Sequence, residues 1–291
     1  MFLDIFHILL NTMVGNIQWI GANILFEVPW SQNYFWGLTL ISIVVWAAEC
    51  VAPWRKEQGV FRQDFGLDAF YMYFNFFIIS IAINGFYDVI GYLFYNIDIT
   101  MQSMSLINID DWPLVIQLLI FFVLLDFFQW ITHRAIHRFD FLWRFHQVHH
   151  SIKEMGFAGH LRYHWMENII YKPLKTIGIM IIGGFEPEQA FIVHFFTITI
   201  GHINHSNLKI SYGPLKYLFN NPVMHLYHHA HALPKKHRYG VNFGLTLSIW
   251  DYLFGTAYVP EDGGLIKLGY PGDENMPKSF HRQFVHGFGR K

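Results

Sequence analysis

Residues 113–137 read PLVIQLLIFFVLLDFFQWITHRAIH. The first nineteen, 113–131, are apolar apart from Gln117, Asp126 and Gln129. A helix of that length, at about 1.5 Å per residue, crosses the roughly 30 Å hydrocarbon layer of a bilayer. Pro113 suits a first helical turn, where a missing N–H does no harm. Directly behind the run stand His133 and His137, four apart and so on one helix face. An apolar span that delivers two histidines at its end directs the reading of the rest.

Composition agrees with a membrane protein. Of 291 residues, 53% are hydrophobic, 19% aromatic and only 14% charged, about half the charge of an ordinary soluble domain. The near-neutral balance, −1, predicts no nucleic-acid footprint. One cysteine, Cys50, excludes an intramolecular disulfide and any CxxC motif. The first lysine or arginine is Arg55, so no basic signal-peptide region is expected.

Two further runs are long enough to span: 34–52, and 69–95 with Asn75, Asn84 and Asp88 inside it. Those three polar residues suit hydrogen bonds between helices. Residues 174–184 and 189–203 flank the turn-rich Gly183-Gly184-Phe185-Glu186-Pro187 and read as a membrane hairpin. Residues 1–28 read as an interfacial or partly inserted helix. Basic residues sit in loop 53–68 (Arg55, Lys56, Arg62) and after Arg134, while 96–112 has none. The positive-inside tendency therefore places loop 53–68 and everything after 131 on the cytoplasmic side, with the hairpin tip at 185–188 outside. The expected fold is all-α: three long spans plus a membrane hairpin, capped by a cytosolic helical region rich in histidine.

Fifteen of the eighteen histidines fall between His133 and His237. HRAIH holds His133 and His137. HQVHH, 146–150, holds His146, His149 and His150. HLYHH, 225–229, repeats that spacing with His225, His228 and His229. GHINH, 201–205, adds His202 and His205. A single HxxH pair is ordinarily a polar helix face, and a lone HxxHH can be surface. Two HxxHH boxes, an HxxxH leading out of a span and one shared membrane side are hard to produce by accident. Crowded imidazoles without partners lose about 1–3 kcal/mol each, whereas neutral imidazole is a good ligand for iron, copper, nickel and zinc. One tetrahedral ion takes four ligands, so eight to ten convergent histidines imply a dinuclear site at the cytoplasmic membrane boundary. His160 and His164 read as supporting or substrate-facing, and His231 and His237 as orienting the last box. His7, His194, His281 and His286 read as structural. Asp126 is either an intramembrane functional acid or a buried hydrogen-bonding group.

HRAIH, HQVHH and HLYHH together resemble the three histidine boxes of the membrane-bound fatty acid hydroxylase and sterol desaturase superfamily. NFGLTLSIWDYLFGTAY, 242–258, is similar to the N-x-G and WD-x-LFGT stretch that closes that family's catalytic region, and RYHWME, 162–167, to a stretch of its sterol-modifying members. Trp165 stands where those members tend to have proline, which argues against a sterol-specific reading. The resemblance covers about 113–260, dividing the chain into membrane helices (1–112), catalytic region (113–260) and tail (261–291). It implies two iron ions, with zinc as a substitute, held by His133, His137, His146, His149, His150, His225, His228 and His229, with His205 and His202. It implies O2-dependent hydroxylation or desaturation of a membrane lipid. No HExxH, GxSxG, GxGxxG or cysteine set accompanies the boxes. Electrons are therefore expected from an external donor, a reductase with a cytochrome or ferredoxin. Lys235-Lys236-His237-Arg238 is a candidate contact for it, or for phospholipid headgroups. Two other classes remain open from the residues: a membrane metal transporter, with His194, Asp126 and Asp88 in a continuous polar path, and a non-catalytic zinc-binding protein. The lipid, and whether the membrane is a bacterial inner membrane or endoplasmic reticulum, stay open.

Overall fold

The computed structural model describes residues 1–289 other than 181, 184–186 and 261; the side chains of 101, 102, 172, 175–180 and 187 also lie outside the described set. Among the described residues, three helices are long and apolar enough to cross a membrane: Tyr34–Val51, Phe65–Tyr95 and Leu114–Arg138. They coincide with the three runs read from the sequence.

Helix α1, Phe2–Ile24, turns into α2, Tyr34–Val51, which begins where the Asn33 side chain accepts from Trp36 N. α3, Phe65–Tyr73, and α4, Ile79–Tyr95, are joined by a π-turn over Phe74–Ile78. α1 runs antiparallel to α4. Asn84 donates to Asn16 at 2.9 Å, Thr12 to Asp88 at 2.6 Å and Tyr92 to Asp4 at 3.1 Å. Asn84 and Asp88 thus join helices, as their place in an apolar run suggested. The outer face of α1 is apolar and exposed, Phe2 by 82% and Phe6 by 55%, as befits contact with lipid.

After a one-turn α5, Met101–Met104, the long α6, Leu114–Arg138, carries HRAIH on its final turn. Phe139 is extended, and α7, Asp140–His150, restarts with an acid in its first turn. α8, Met166–Met180, and α9, Pro187–Asn204, supply the two arms expected of a hairpin; its tip at 185–188 falls largely outside the described residues. A two-residue parallel bridge, β1 (Ile107–Asn108) with β2 (Ile182–Gly183), ties the loop after α5 to the far end of α8. No hydrophobic pattern announced it.

A core of Leu38, Val45, Met72, Phe77, Phe157, Leu161 and Ile198 locks the short turn 157–161 between α2, α3 and α9. Glu49 at the end of α2 accepts from Phe157 N and Asn207 N at 2.9 and 2.8 Å. Past α10, Pro222–His228, the described residues are mostly loop, broken by the short helices α11, Ile249–Leu253, and α12, Phe280–Phe284, and two single 3-10 turns. Buried side chains replace helical hydrogen bonds there. Asp251 accepts from Phe243 N, Gly244 N, Trp130 Nε1 and Thr256 Oγ1 at 2.6–3.0 Å. Asn242 bonds Met224 O, Tyr258 O and Tyr258 N at 2.8–2.9 Å. These two residues explain the N-x-G and WD elements of 242–258: they shape the loop that lies against the histidines.

Candidate metal centre

Nine histidines converge in two buried groups. His133, His137, His146, His150 and His228 form one; His149, His205, His225 and His229 form the other. Within each group the ligand nitrogens lie within 4.8 Å of one another. The boxes do not map one to a group. In HQVHH the residues four apart, His146 and His150, serve the first group and His149 the second. In HLYHH the residues four apart, His225 and His229, serve the second and His228 the first.

The hydrogen-bond pattern aims the rings. Nδ1 of His133 faces Phe243 O at 2.8 Å, of His149 Arg162 O at 3.0 Å, of His205 Gly201 O at 2.8 Å and of His228 Val241 O at 2.8 Å. Carbonyls only accept, so each of these Nδ1 atoms carries the hydrogen and donates it; each Nε2 in the neutral ring is a bare lone pair. His149 Nε2 and His205 Nε2 nevertheless stand 3.2 Å apart, and His225 Nε2 is 2.9 Å from His205 Nε2. Protonation does not relieve the crowding. Burial holds His149, His205 and His225 well below the ordinary imidazole range, with neighbouring histidines adding to the effect. Buried nitrogens also lack partners: Nε2 of His137, His150 and His228, and Nδ1 of His225 and His229. Each such orphan costs about 1–3 kcal/mol. A cation within each group relieves the facing Nε2 atoms and takes up the orphan Nε2 of His137, His150 and His228, while His225 and His229 keep their hydrogen on Nδ1; an all-imidazole donor set suits a transition metal. The two groups therefore fit a pair of metal ions.

Surrounding residues fix the ligands. His146 Nδ1 pairs with Glu167 Oε2 at 2.9 Å, and Glu167 Oε1 accepts from His164 N at 3.3 Å. A carboxylate behind a ligating imidazole orients it and raises its basicity. Glu167 had no role in the sequence reading, although it stands in the RYHWME stretch. Arg162, whose carbonyl holds His149, is 2% exposed and anchored to Asp68 at 2.9 Å, Asp64 at 3.1 Å and Ser151 at 3.0 Å.

His202, expected among the ligands with His205, stands outside both groups. Its Nε2 meets Ser42 Oγ at 3.3 Å, and its Nδ1 meets Ile198 O at 3.1 Å and His160 Nδ1 at 3.0 Å. Ser42 on α2 and His160 take up its ring nitrogens instead. His160 packs with its ring 5.1 Å from that of His205. It fits there because residue 201 is glycine: a Cβ would run into its imidazole. His164 instead bonds Phe284 O at 2.7 Å and Met166 N at 3.1 Å, bracing the C-terminal tail. His237, expected to orient the last box, packs on Tyr258 at 4.9 Å. Asp126 accepts from Thr246 N at 3.1 Å, Leu247 N at 3.3 Å and Trp250 Nε1 at 2.9 Å, and it also lines the cavity that reaches both groups.

A cavity of about 760 Å³ opens among the helices and reaches both groups. His133 and His146 line it from the first, and His149, His205 and His225 from the second. Trp19, Phe76, Ile83, Phe121 and Leu125 give it an apolar wall, and His194, read as structural, lines it as well.

Residues 118–256 match the family model for fatty acid hydroxylase. That match and the relatives the chain resembles support the fatty acid hydroxylase superfamily. The chain is 31% identical over 183 residues to ornithine lipid hydroxylase OlsE of Rhizobium tropici, covering 62% of this chain and 53% of that protein. It is 30% identical over 163 residues to alkylglycerol monooxygenase of Caenorhabditis elegans, covering 55% and 30%. It is also 30% identical over 152 residues to very-long-chain aldehyde decarbonylase GL1-9 of Oryza sativa subsp. indica, covering 50% and 56%. The chain thus spans about a third to a half of the length of these relatives. No solved structure matches it.

Proposed function

We propose that this chain is a membrane-bound, O2-dependent lipid hydroxylase with two irons. The observation that carries the reading is the pair of histidine groups opening into a lipid-sized cavity between apolar helices. His133, His137, His146, His150 and His228 would hold one iron, and His149, His205, His225 and His229 the other. When bound, the irons supply the redox chemistry by which O2 and two external electrons turn a C–H bond into C–OH, the second oxygen leaving as water. The chain's residues do the rest. Phe243 O, Arg162 O, Gly201 O and Val241 O keep hydrogen on Nδ1 and so keep Nε2 turned inward. Glu167 holds His146. The apolar wall of the cavity excludes water and admits a lipid chain sideways from the bilayer. The printed names of the relatives, hydroxylase and monooxygenase, support oxygen insertion over desaturation.

Electrons come from a separate reductase with a cytochrome or ferredoxin, on the side the basic residues mark as cytoplasmic. Segment 235–240 supports entry there: Gly240 packs on the His137 ring, and Arg138 and Arg238 both stack on Tyr239, at 4.3 and 4.5 Å. A transport path through His194, Asp126 and Asp88 gains no support. Asp126 is taken up by the 246–250 loop and Asp88 by Thr12.

The test is metal analysis of purified protein, then O2 consumption with membrane lipids and a reducing system, read by lipid mass spectrometry. The reading expects iron and a product heavier by one oxygen atom. Zinc with no O2 uptake overturns it, and a product lacking two hydrogens reassigns it to desaturation.

A further inference from the structure

Trp143 stands on α7 three residues before His146 and seven before His150, a spacing that puts all three on one helix face. Its indole packs on three imidazoles of the first group. Between ring centroids, His137 lies at 4.9 Å, His150 at 5.2 Å and His146 at 6.0 Å. Among the described residues, no other tryptophan or tyrosine ring packs on the histidines of either group.

The indole is not placed to meet a substrate. His146 lines the cavity, whereas Trp143 stands behind it and outside the lining. His146 and His150 are buried, but Trp143 is partly exposed, so it joins the buried rings to solvent. Tyr270 lies edge-on to the indole at 5.7 Å and continues the chain of ring contacts beyond the histidines.

The kind of ring matters as much as its place. Phe243 also packs on His137, at 5.2 Å, and on His228, at 5.8 Å, but a phenyl ring does not give up an electron readily. Indole and phenol do. A site able to break a C–H bond attacks its own imidazoles when no lipid meets it, and excluding such side reactions is the protein's part in redox chemistry.

We infer that Trp143 is a protective relay: when oxidising equivalents are left at the histidine groups with no lipid in the cavity, its indole discharges them to the protein surface. The inference rests on the oxygen chemistry proposed above. In each step the indole passes one electron through the imidazoles it touches and its N–H proton to water, leaving an indolyl radical. A small thiol outside the protein restores the indole by giving a hydrogen atom, and two thiyl radicals join as a disulfide. Two such steps discharge the two-electron equivalent, and the oxygen atom not passed to a lipid leaves as water. Tyr270 extends the relay by the same exchange, its phenol giving an electron and a proton.

The test uses the iron-loaded full chain in detergent without lipid. Hydrogen peroxide supplies the two oxidising equivalents with no reductant present, and the sample is frozen for electron paramagnetic resonance. An indolyl signal is expected, replaced by a tyrosyl signal in W143Y and lost in W143F. In peptide mass spectrometry, Trp143 is expected to gain oxygen ahead of Trp30 and Trp112, which are 65% and 46% exposed. Metal-free protein treated alike is expected to show the reverse order, and dithiothreitol to suppress the mark on Trp143. W143F is expected to gain oxygen on His137, His146 or His150 and to lose iron over repeated additions, while W143Y, with an oxidisable ring, keeps it. A role in packing alone predicts that the two variants behave alike, and that result overturns the inference. Oxidation that follows exposure in the iron-loaded chain also overturns it, whether or not either variant folds. Both results leave the lipid hydroxylase reading standing, whereas a chain that binds no iron fails that reading and the inference together.

Discussion

The Nε2 atoms of His149 and His205 face each other at 3.2 Å although each ring has given its Nδ1 hydrogen to a backbone carbonyl. Two bare lone pairs held that close in a buried site repel unless a cation lies between them. His149 comes from α7 and His205 from the residue after α9, so the contact joins elements 56 residues apart.

This pair makes metal content divisible. The double substitution H149A/H205A removes two of the four donors of the second group and none of the first. Purified protein is expected to fall from about two metal ions per chain to about one, measured by elemental analysis beside the protein concentration. Loss of both ions, in protein that still elutes as the folded species, would contradict two separable groups.

Glu167 acts on the other group through His146. E167Q keeps the shape of the side chain but puts an amide where the carboxyl group holds His146 Nδ1. Affinity for the first ion is expected to drop by about 10- to 100-fold, with the second little changed. Competition against a graded series of chelators reads the two affinities separately.

Gly201 and His160 form a testable contact. G201A drives a methyl group into the His160 ring, an overpacking that typically costs about 1–3 kcal/mol. H160A in the same chain is expected to recover most of that loss, because the obstructed ring is gone. Thermal unfolding of both variants and the two singles in detergent gives the coupling; simple additivity would refute the contact.

Asp251 holds the loop that aims His133. In D251A the amides of Phe243 and Gly244 and the Trp130 indole lose their acceptor. At about 1–3 kcal/mol for each stranded donor, a loss of at least about 3 kcal/mol is expected, seen as a lower unfolding midpoint.

Acid is expected to destabilise the metal-free protein. Burial holds His146 down to about 3, and His149, His150, His205, His225, His228 and His229 well below the usual 6.5. Below about pH 6.5 the unfolded chain binds protons on these rings and the folded chain does not, so stability falls as pH falls. The limit is roughly 1.4 kcal/mol per pH unit for each ring. Glu167, which burial raises to about 8, acts in the opposite sense between about pH 8 and 4.5, so the decline in unfolding midpoint of chelator-treated protein is expected below about pH 6.5, where the rings outnumber it. A midpoint that keeps rising on acidification below about pH 6 would be incompatible with neutral, buried imidazoles.

The amino-acid sequence by itself determined the spans and the existence of a histidine site. Apolar run length is a local property of one helix, so 34–52, 69–95 and 113–131 were legible without a partner. The same holds for the four-residue spacing that puts His133 and His137 on one face. Tertiary structure alone decided which ring joins which histidine group. His149 parts from His146 and His150, His228 parts from His225 and His229, and His205 enters while His202 stays out. Those assignments depend on how α6, α7, α9 and α10 are rotated and offset against one another, which spacing along a single helix does not encode. The role of Glu167 was hidden for the same reason, and for Asp126 and Asn75 only the general expectation of a hydrogen-bonding group was legible. Each has a partner 21 to 124 residues away, which the local stretch does not name.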